Sequence, residues 1–345
     1  MEEKIKVLVV DDAAFMVKAV SEILESDPDM EVVGSAKNGL EGLKKIKELH
    51  PDVITLDIDM PIMDGIKAIR HIMIESPVPV VVLSSLFADG SITFEALRLG
   101  VVDFVPKPSG SISQDISTAK QKIIDRIKLA TSVNMENIRR VRLSKWDVKE
   151  RLADRYGFKP LDYVLAMGTT LTGPNTFIRL FSSLSPNIPA TAIVVQEISP
   201  KILSSFVKKF DEHVPWKIEM AQNGAVLEQG TCYICSNENS LSIETDQRGS
   251  ACMKVGGGVE RPLDLLFSSA ADIFKQNTVG VLLTGIGDDG AEGFTKIRER
   301  SGMTIAQSTD TCVYPNLTQN VIERGIVDIM ADESDLVREI EAVVK

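Results

Sequence analysis

The chain has 345 residues and a formal net charge of −11, so it can form two domains with separate cores and is too acidic for nucleic acid to be its main partner. Hydrophobic residues make up 44% of it, and no stretch approaches the roughly 20 continuous apolar residues that cross a bilayer, which argues against membrane insertion. The N-terminus MEEKIKVLVV lacks the basic start and apolar core of a signal peptide, so we expect a cytoplasmic protein.

From residue 5 to about 130 the chain alternates strand-like runs with amphipathic segments of helical length. The runs read KVLVV, EVVGSA, DVITLD, VPVVVLSS and VVDFV. Such alternation predicts an α/β domain, in which a doubly wound parallel sheet is covered by helices on both faces.

Polar residues occupy the carboxyl ends of four of these strands. Asp11 and Asp12 end the first, Asp57 ends the third, Ser84 ends the fourth and Lys107 follows the fifth. The functional crevice of an open parallel sheet lies at that edge, so the five side chains should converge. Close carboxylates repel one another by roughly 4 kcal/mol per pair at an effective dielectric near 20, and therefore need a cation. Oxygen ligands with open positions suit Mg²⁺.

An Asp that follows a strand can instead be only a helix cap, as we expect for Asp64 in the sequence MDG. Capping explains one or two such residues, but it does not explain an Asp pair, a lone Asp, a hydroxyl and a Lys on separate strand ends in this order. Together with LDIDMPIMDG, these residues resemble the receiver domain of response regulators. The resemblance runs without a gap from residue 5 to about 130 and implies a flavodoxin-like fold.

The receiver resemblance also implies roles for the acidic residues. Asp57 would be phosphorylated, with a histidine kinase as the phosphodonor. Magnesium would be bound by the carboxylates of Asp11, Asp12 and Asp57 together with the backbone carbonyl of Asp59. Metal and phosphoryl acceptor would thus share one site.

Three further residues complete the implied site. Lys107 would contact the phosphoryl group, Ser84 would hydrogen-bond to it, and Phe104 would be the aromatic residue of the conformational switch. We therefore predict a receiver domain over residues 1–130. The charged, weakly periodic stretch that follows predicts a linker over 131–160.

A second alternating series fills residues 161–345 and predicts a second doubly wound parallel sheet. Its apolar runs include YVLAMG, TAIVVQ, VGVLLTG and MTIAQ. The turn-rich stretch 222–258 interrupts it, and the runs TCYIC, SLSIET and ACMKV there predict a small antiparallel insertion. Cys232 and Cys235 form a C-x-x-C in the first of these runs, but a period of two places the thiols on opposite faces, so we do not predict a zinc site.

Several motifs of this half occur in the order found in chemotaxis protein-glutamate methylesterases. They are MGTTLTGP at 167–174, VVQ-x-x-x-P at 194–200, RPLDLLF at 261–267, VLLTGIGDDG at 281–290 and TIAQSTDTCVYP at 304–315. The second half resembles the catalytic domain of that family, which implies a Rossmann-like output domain. Members use a Ser–His–Asp triad to cleave methyl esters on receptor glutamates, and can deamidate glutamines.

Only the acidic member of that triad is present. Asp289 stands in GDDG as the family pattern expects, whereas Thr170 stands at the serine position and Glu197 at the histidine position. Leu171 and Thr172 also alter the turn, and Thr172 replaces a glycine. Because β-branched residues tolerate positive φ badly, we expect the turn geometry to suffer as well.

The chain offers no obvious replacement for the catalytic base. A hydroxyl nucleophile needs a base near neutral pKa, and an ionised Glu is about two pKa units too acidic. Of the three histidines, His50 and His71 fall in the receiver. We expect His213, in FDEHVPW, to be solvated or to cap a helix.

Two functions remain open at this point. In the first, phosphorylation controls an output domain that has lost catalysis and binds chemoreceptor cytoplasmic tails or other chemotaxis proteins. In the second, the domain is a weak methylesterase or deamidase that uses Thr170, or an enzyme with new chemistry on Glu197 and Asp289. Nucleotide binding through GTTLTG is disfavoured, because the stretch lacks the glycine spacing and the lysine of a P-loop.

Overall fold

The computed structural model describes residues 3–84, 90–107, 113–141, 143 and 161–344. The chain divides into two compact units, Met1–Arg140 and Val141–Lys345. Among the described residues, no helix combines the length and apolar character needed to span a bilayer. Apart from residues 141 and 143, the predicted linker beyond residue 140 lies outside the described residues.

The N-terminal unit alternates strands and helices as the sequence predicts. Its elements are β1 (Ile5–Val10), α1 (Ala14–Glu25), β2 (Met30–Ala36), α2 (Gly39–Leu49), β3 (Val53–Leu56), α3 (Gly65–Glu75), β4 (Val80–Ser84), α4 (Gly90–Leu99), β5 (Asp103–Pro106) and α5 (Ser113–Thr131). The strands form a parallel sheet in the order β2-β1-β3-β4-β5. This order confirms the doubly wound prediction for this half.

Local chemistry fixes where helix α3 begins. Asp64 is its N-cap and accepts a hydrogen bond from the backbone N–H of Lys67 at 2.8 Å, as the sequence predicts. Gly65 follows it and lies against the end of β3, where a Cβ atom would come within 2.3 Å of the carbonyl oxygen of Asp57. A glycine is therefore needed for the loop between β3 and α3 to pack against the predicted phosphorylation site.

The C-terminal unit contains nine strands and six α-helices within its described residues. They are β6 (Tyr163–Thr169), α6 (Gly173–Ser183), β7 (Ala190–Gln196), α7 (Pro200–Asp211), β8 (Lys217–Met220), β9 (Thr231–Ser236), β10 (Ser240–Thr245), β11 (Ala251–Gly256), α8 (Pro262–Phe274), β12 (Thr278–Leu282), α9 (Ala291–Glu299), β13 (Met303–Gln307), α10 (Asn316–Glu323), β14 (Ile329–Ala331) and α11 (Leu336–Val343). Seven strands form one sheet in the order β14-β13-β12-β6-β7-β9-β8, and its pairs are parallel.

The antiparallel insertion is smaller than predicted. Strands β10 and β11 form an antiparallel pair, as expected from SLSIET and ACMKV. The prediction for TCYIC is wrong, because this segment is β9 and lies between β7 and β8 in the parallel sheet. All six of its residues are buried, and such a continuous apolar run is typical of a strand covered on both faces.

The two cysteines of β9 are packed into the interior. Burial raises the pKa of the Cys232 thiol well above its usual value and that of Cys235 to about 11. Cys235 belongs to the core beneath α8 and α9, whereas Cys232, three residues away on the strand, faces the other side. Both thiols therefore stay protonated near neutral pH and serve as core residues.

Candidate functional site

The N-terminal unit gathers three carboxylates at the carboxyl edge of its sheet. One carboxylate oxygen each from Asp11, Asp12 and Asp57 lies within 4.8 Å of the others. Asp11 and Asp57 are buried, and Asp12 is exposed. The ammonium group of Lys107 bridges the two buried acids, with its Nζ atom 2.6 Å from Asp11 and 2.8 Å from Asp57. The structure thus brings together four of the residues predicted from the sequence.

Opposing effects of burial and charge set the pKa values of Asp57 and Lys107 in this cluster. Burial raises the pKa of Asp57, and this outweighs the lowering by the hydrogen bond and charge of Lys107, while the charge of Asp11 raises it further. Burial lowers the pKa of Lys107, but its contacts with Asp11 and Asp57 prevail and the net pKa is raised. One lysine therefore only partly neutralises the carboxylates.

The other receiver residues occupy their predicted elements. Phe104 lies on β5, half-buried against the core of the unit. Asp59 follows β3 in an exposed position. Ser84 ends β4 and pairs with Pro106 on β5, but its side chain lies outside the described part of the chain. Its contact with a phosphoryl group stays a prediction.

In the C-terminal unit, the hydroxyl group of Thr170 is hydrogen-bonded on both sides. It donates to the carbonyl oxygen of Ile286 at 2.9 Å and accepts from the N–H of the same residue at 2.6 Å. Ile286 lies in the loop between β12 and α9. Gly285 allows this close approach, because a Cβ atom there would lie 2.5 Å from the Thr170 Oγ1 atom. The hydroxyl thus holds two strand-end loops together.

The turn between β6 and α6 keeps a left-handed residue without a glycine. Thr172 has φ 67° and ψ −18°, and it is the N-cap of α6 but forms no side-chain capping hydrogen bond. A non-glycine residue in this region costs about 1–2 kcal/mol. The sequence predicts that Thr172 alters the geometry of the turn, whereas in the structure Thr172 adopts the left-handed φ and the consequence is strain.

Asp289 caps a helix with both of its carboxylate oxygens. Oδ2 accepts from the N–H of Leu263 at 2.8 Å and Oδ1 from that of Asp264 at 3.0 Å, at the start of α8. Burial raises the pKa of Asp289, the two amides lower it, and the charge of Asp264 raises it; the net pKa is raised. Each oxygen thus accepts one hydrogen bond from the first turn of α8 and keeps further acceptor capacity.

Arg261 joins three carboxylates at the edge of this loop. Its Nε atom is 2.6 Å from Asp264 and 4.0 Å from Asp289, and its NH1 atom is 3.1 Å from Asp288. Asp264 in turn accepts from the N–H of Gly293 at 2.7 Å, in the first turn of α9. The two acids therefore cap neighbouring helices, and the arginine compensates their charge.

Arg261, Asp264 and Asp288 are not among the site residues predicted from the sequence. The motif RPLD places Arg261 and Asp264 three residues apart at a helix start, which is a pattern for a pair on one helix face. Asp264 could have been found as an acidic residue in a first turn. Its contact with α9 depends on tertiary packing, and the spacing of residues in the sequence does not predict it.

Glu197 and His213 belong to opposite edges of the C-terminal sheet. Glu197 follows β7 at the carboxyl edge and is half-buried. His213 lies between the end of α7 and the start of β8, hence at the amino edge. Its side chain is buried, and the Nδ1 atom lies 2.8 Å from the carbonyl oxygen of Lys209 on α7. Solvation of His213 was wrongly predicted, whereas its capping contact fits the other alternative.

Close relatives cover nearly the whole chain. A protein-glutamate methylesterase/protein-glutamine glutaminase of Caldanaerobacter subterraneus is 37% identical, and the match covers 96% of this chain and 94% of that protein. The protein of the same name from Pyrococcus abyssi is 36% identical over 94% of this chain and 89% of its own length.

Solved structures and family models agree with these relatives. The Thermotoga maritima CheB methylesterase catalytic domain superposes with a TM-score of 0.50 and 26% identity, covering 53% of this chain and 98% of that domain. The response regulator receiver domain model matches residues 7–116 and the CheB methylesterase model residues 165–340. The chain therefore belongs to the protein-glutamate methylesterase/protein-glutamine glutaminase family, with a receiver domain followed by a CheB methylesterase domain.

Proposed function

We propose that this chain is a phosphorylation-controlled response regulator whose methylesterase-like domain has lost catalysis and acts by binding a partner. The observation that carries the proposal is the hydrogen bonding of Thr170, whose single hydroxyl proton is donated to the carbonyl of Ile286. A nucleophilic hydroxyl must instead deliver that proton to a base as it attacks.

Within the described part of the C-terminal unit, no histidine lies beside Thr170 at the carboxyl edge of the sheet. His50 and His71 lie in the N-terminal unit, and His213 lies at the amino edge of the other sheet. The residue at the histidine position is Glu197, which has no imidazole with which to accept and return the proton. Loss of a catalytic histidine lowers kcat by roughly 10⁶ in a related mechanism.

Asp289 has structural contacts that do not depend on catalysis. In a triad the acid must orient an imidazole through a hydrogen bond. Here both carboxylate oxygens accept from the amides of Leu263 and Asp264. The acid is thus retained with a structural partner.

The receiver half supplies the control. Asp11, Asp12 and Asp57 form an all-oxygen donor set whose repulsion is only partly compensated by Lys107, which fits Mg²⁺. These carboxylates and the Asp59 carbonyl would hold the ion, and Asp57 would accept a phosphoryl group from a histidine kinase. Bound Mg²⁺ would neutralise charge on the carboxylates and on the incoming phosphoryl oxygens.

We infer that the output partners are chemoreceptor cytoplasmic tails or other chemotaxis proteins, since the relatives are named for an action on protein glutamate and glutamine side chains. The named activity of the relatives favours the alternative, a weak methylesterase or deamidase.

A methanol-release assay on methylated chemoreceptor separates the two. An active family member serves as the positive control, and the Thr170→Ala variant shows whether any signal depends on this hydroxyl. We expect no methanol above background from the unmodified chain, with or without phosphorylation. Release that disappears in Thr170→Ala would overturn the binding proposal.

A further inference from the structure

Gln196, the last residue of β7, carries a buried amide that has no hydrogen-bond partner among the residues that the structure describes. Its exposed fraction is 0%, and within the described part of the chain neither Nε2 nor Oε1 has a hydrogen-bond partner. Buried polar groups are almost always paired, and an unpaired one costs about 1–3 kcal/mol. The amide therefore points to a group that the described residues do not supply.

Two hydroxyl residues flank Gln196 across the sheet. In the parallel register it pairs with Thr169 on β6 and with Ser236 on β9. Residues paired in this way project to the same face of the sheet, so the three side chains form one polar row. Like Gln196, the two neighbours are buried.

Both hydroxyl groups already donate their protons to backbone carbonyl oxygens. Thr169 Oγ1 donates to the carbonyl of Thr284 at 2.8 Å, and Ser236 Oγ donates to that of Ile198 at 2.5 Å. Ser236 Oγ also accepts from the N–H of Glu238 at 3.1 Å. Each oxygen still has a lone pair to offer, since a hydroxyl can accept two hydrogen bonds.

We propose that this row is an internal hydration site, in which one water molecule binds between the amide of Gln196 and the hydroxyls of Thr169 and Ser236. The row offers two amide donors, one carbonyl acceptor and lone pairs on neutral oxygens. A water molecule accepts from the amide and donates to the oxygens, reaching the three or so hydrogen bonds usual for a buried water. A cation would face the amide N–H groups and an anion would face the lone pairs.

The site connects the strand ends that carry the two altered triad positions. Thr170 directly follows Thr169, and Glu197 directly follows Gln196. Ser236 in addition holds the carbonyl of Ile198 in the loop after β7. The water would thus link β6, β7 and β9 beneath those positions, whether or not the domain is catalytically active.

Gln307 provides a matched control for the experiment. It is equally buried, but its Oε1 accepts from the N–H of Thr284 at 2.9 Å and its Nε2 donates to the carbonyl of Thr311 at 2.9 Å. The full chain is labelled at glutamine side-chain amides, and magnetisation transfer from water is recorded by NMR. Variants Gln196→Met and Gln307→Met assign the two sets of signals.

We expect a direct cross-relaxation peak between water and the Gln196 amide protons, and none for Gln307. A crystal structure of the full chain should contain a water within about 3.2 Å of the Gln196 amide. The proposal is wrong if Gln196 gives no water peak, or if its amide bonds directly to Thr169, Ser236 or another protein group in the crystal. Methanol release tests the proposed function separately and does not bear on this outcome.

Discussion

Thr170 offers one hydroxyl to both polar groups of Ile286. Thr170→Val keeps the shape but leaves an N–H and a carbonyl unpaired, so we expect the free energy of unfolding to fall by about 2–3 kcal/mol. Thr170→Ser keeps the hydroxyl and should lose less than about 1 kcal/mol. Urea unfolding of the C-terminal unit measures both. Equal stability of the two variants would show that the hydroxyl is not structural.

Substitutions of Thr172 test whether the turn before α6 is strained. Thr172→Gly and Thr172→Ala remove the same branched atoms, but only glycine relieves the left-handed backbone at φ 67°. We expect the glycine variant to be more stable than the alanine variant by about 1 kcal/mol, as measured by thermal unfolding. A more stable alanine variant would mean that the backbone leaves the left-handed region.

The raised pKa of Asp289 predicts that the free energy of unfolding depends on pH. Because burial raises this pKa, the native protein keeps the proton at a pH where the unfolded chain has lost it. The carboxyl group therefore adds to the free energy of unfolding in full below the unfolded pKa of about 3.9. This added stability is lost as pH rises through the native pKa. Asp289→Asn lacks this titration.

Denaturant unfolding of both proteins at several pH values measures the effect. The stability difference, wild type minus Asp289→Asn, should decrease as pH rises from about 3 to 7. A difference that grows over this range would reverse the sign of the assigned pKa shift.

At the scale of elements, alternation of apolar runs sufficed to predict both parallel sheets and the edge at which the site residues meet. It failed for β9, because a short continuous apolar run occurs in buried parallel strands and in hairpins alike. The capping of α8 by Asp289 also escaped prediction. It depends on the packing of Asp289 against Leu263 and Asp264, which are distant from it in sequence, and residue spacing gives no information on that contact.

The strand-end acids of β1 and β3 predict a specific response to Mg²⁺. Binding to the native state raises the free energy of unfolding by RT ln(1 + [Mg²⁺]/Kd). Asp12→Asn should abolish this increase in the N-terminal unit. Asp59→Asn should preserve it, since the proposed ligand there is the backbone carbonyl. Thermal unfolding with and without Mg²⁺ measures the response, and loss in both variants would place the ion elsewhere.

For the whole molecule, the central expectation is phosphorylation at Asp57. Acetyl phosphate with Mg²⁺ should add one phosphoryl group, because the acceptor lies beside the proposed Mg²⁺ site and 2.8 Å from Lys107. The added charge of about −1.5 to −2 is enough to bias a two-state contact. Intact-protein mass spectrometry measures the addition. Labelling of Asp57→Asn, or labelling in excess chelator, would refute the assignment.

Under the proposed function, the capping of α8 by Asp289 also bears on which residues of a catalytic centre persist after activity is lost. A side chain whose only role is catalysis can be substituted once that role is lost. A side chain that also caps a helix is still needed for folding. Under the proposed function, Asp289 would be retained because it accepts hydrogen bonds from the amides of Leu263 and Asp264. The residues at the serine and histidine positions would have been free to change. An intact acidic residue is then poor evidence of surviving enzymatic activity, and the hydrogen bonds made by each former triad member are a better guide than its identity.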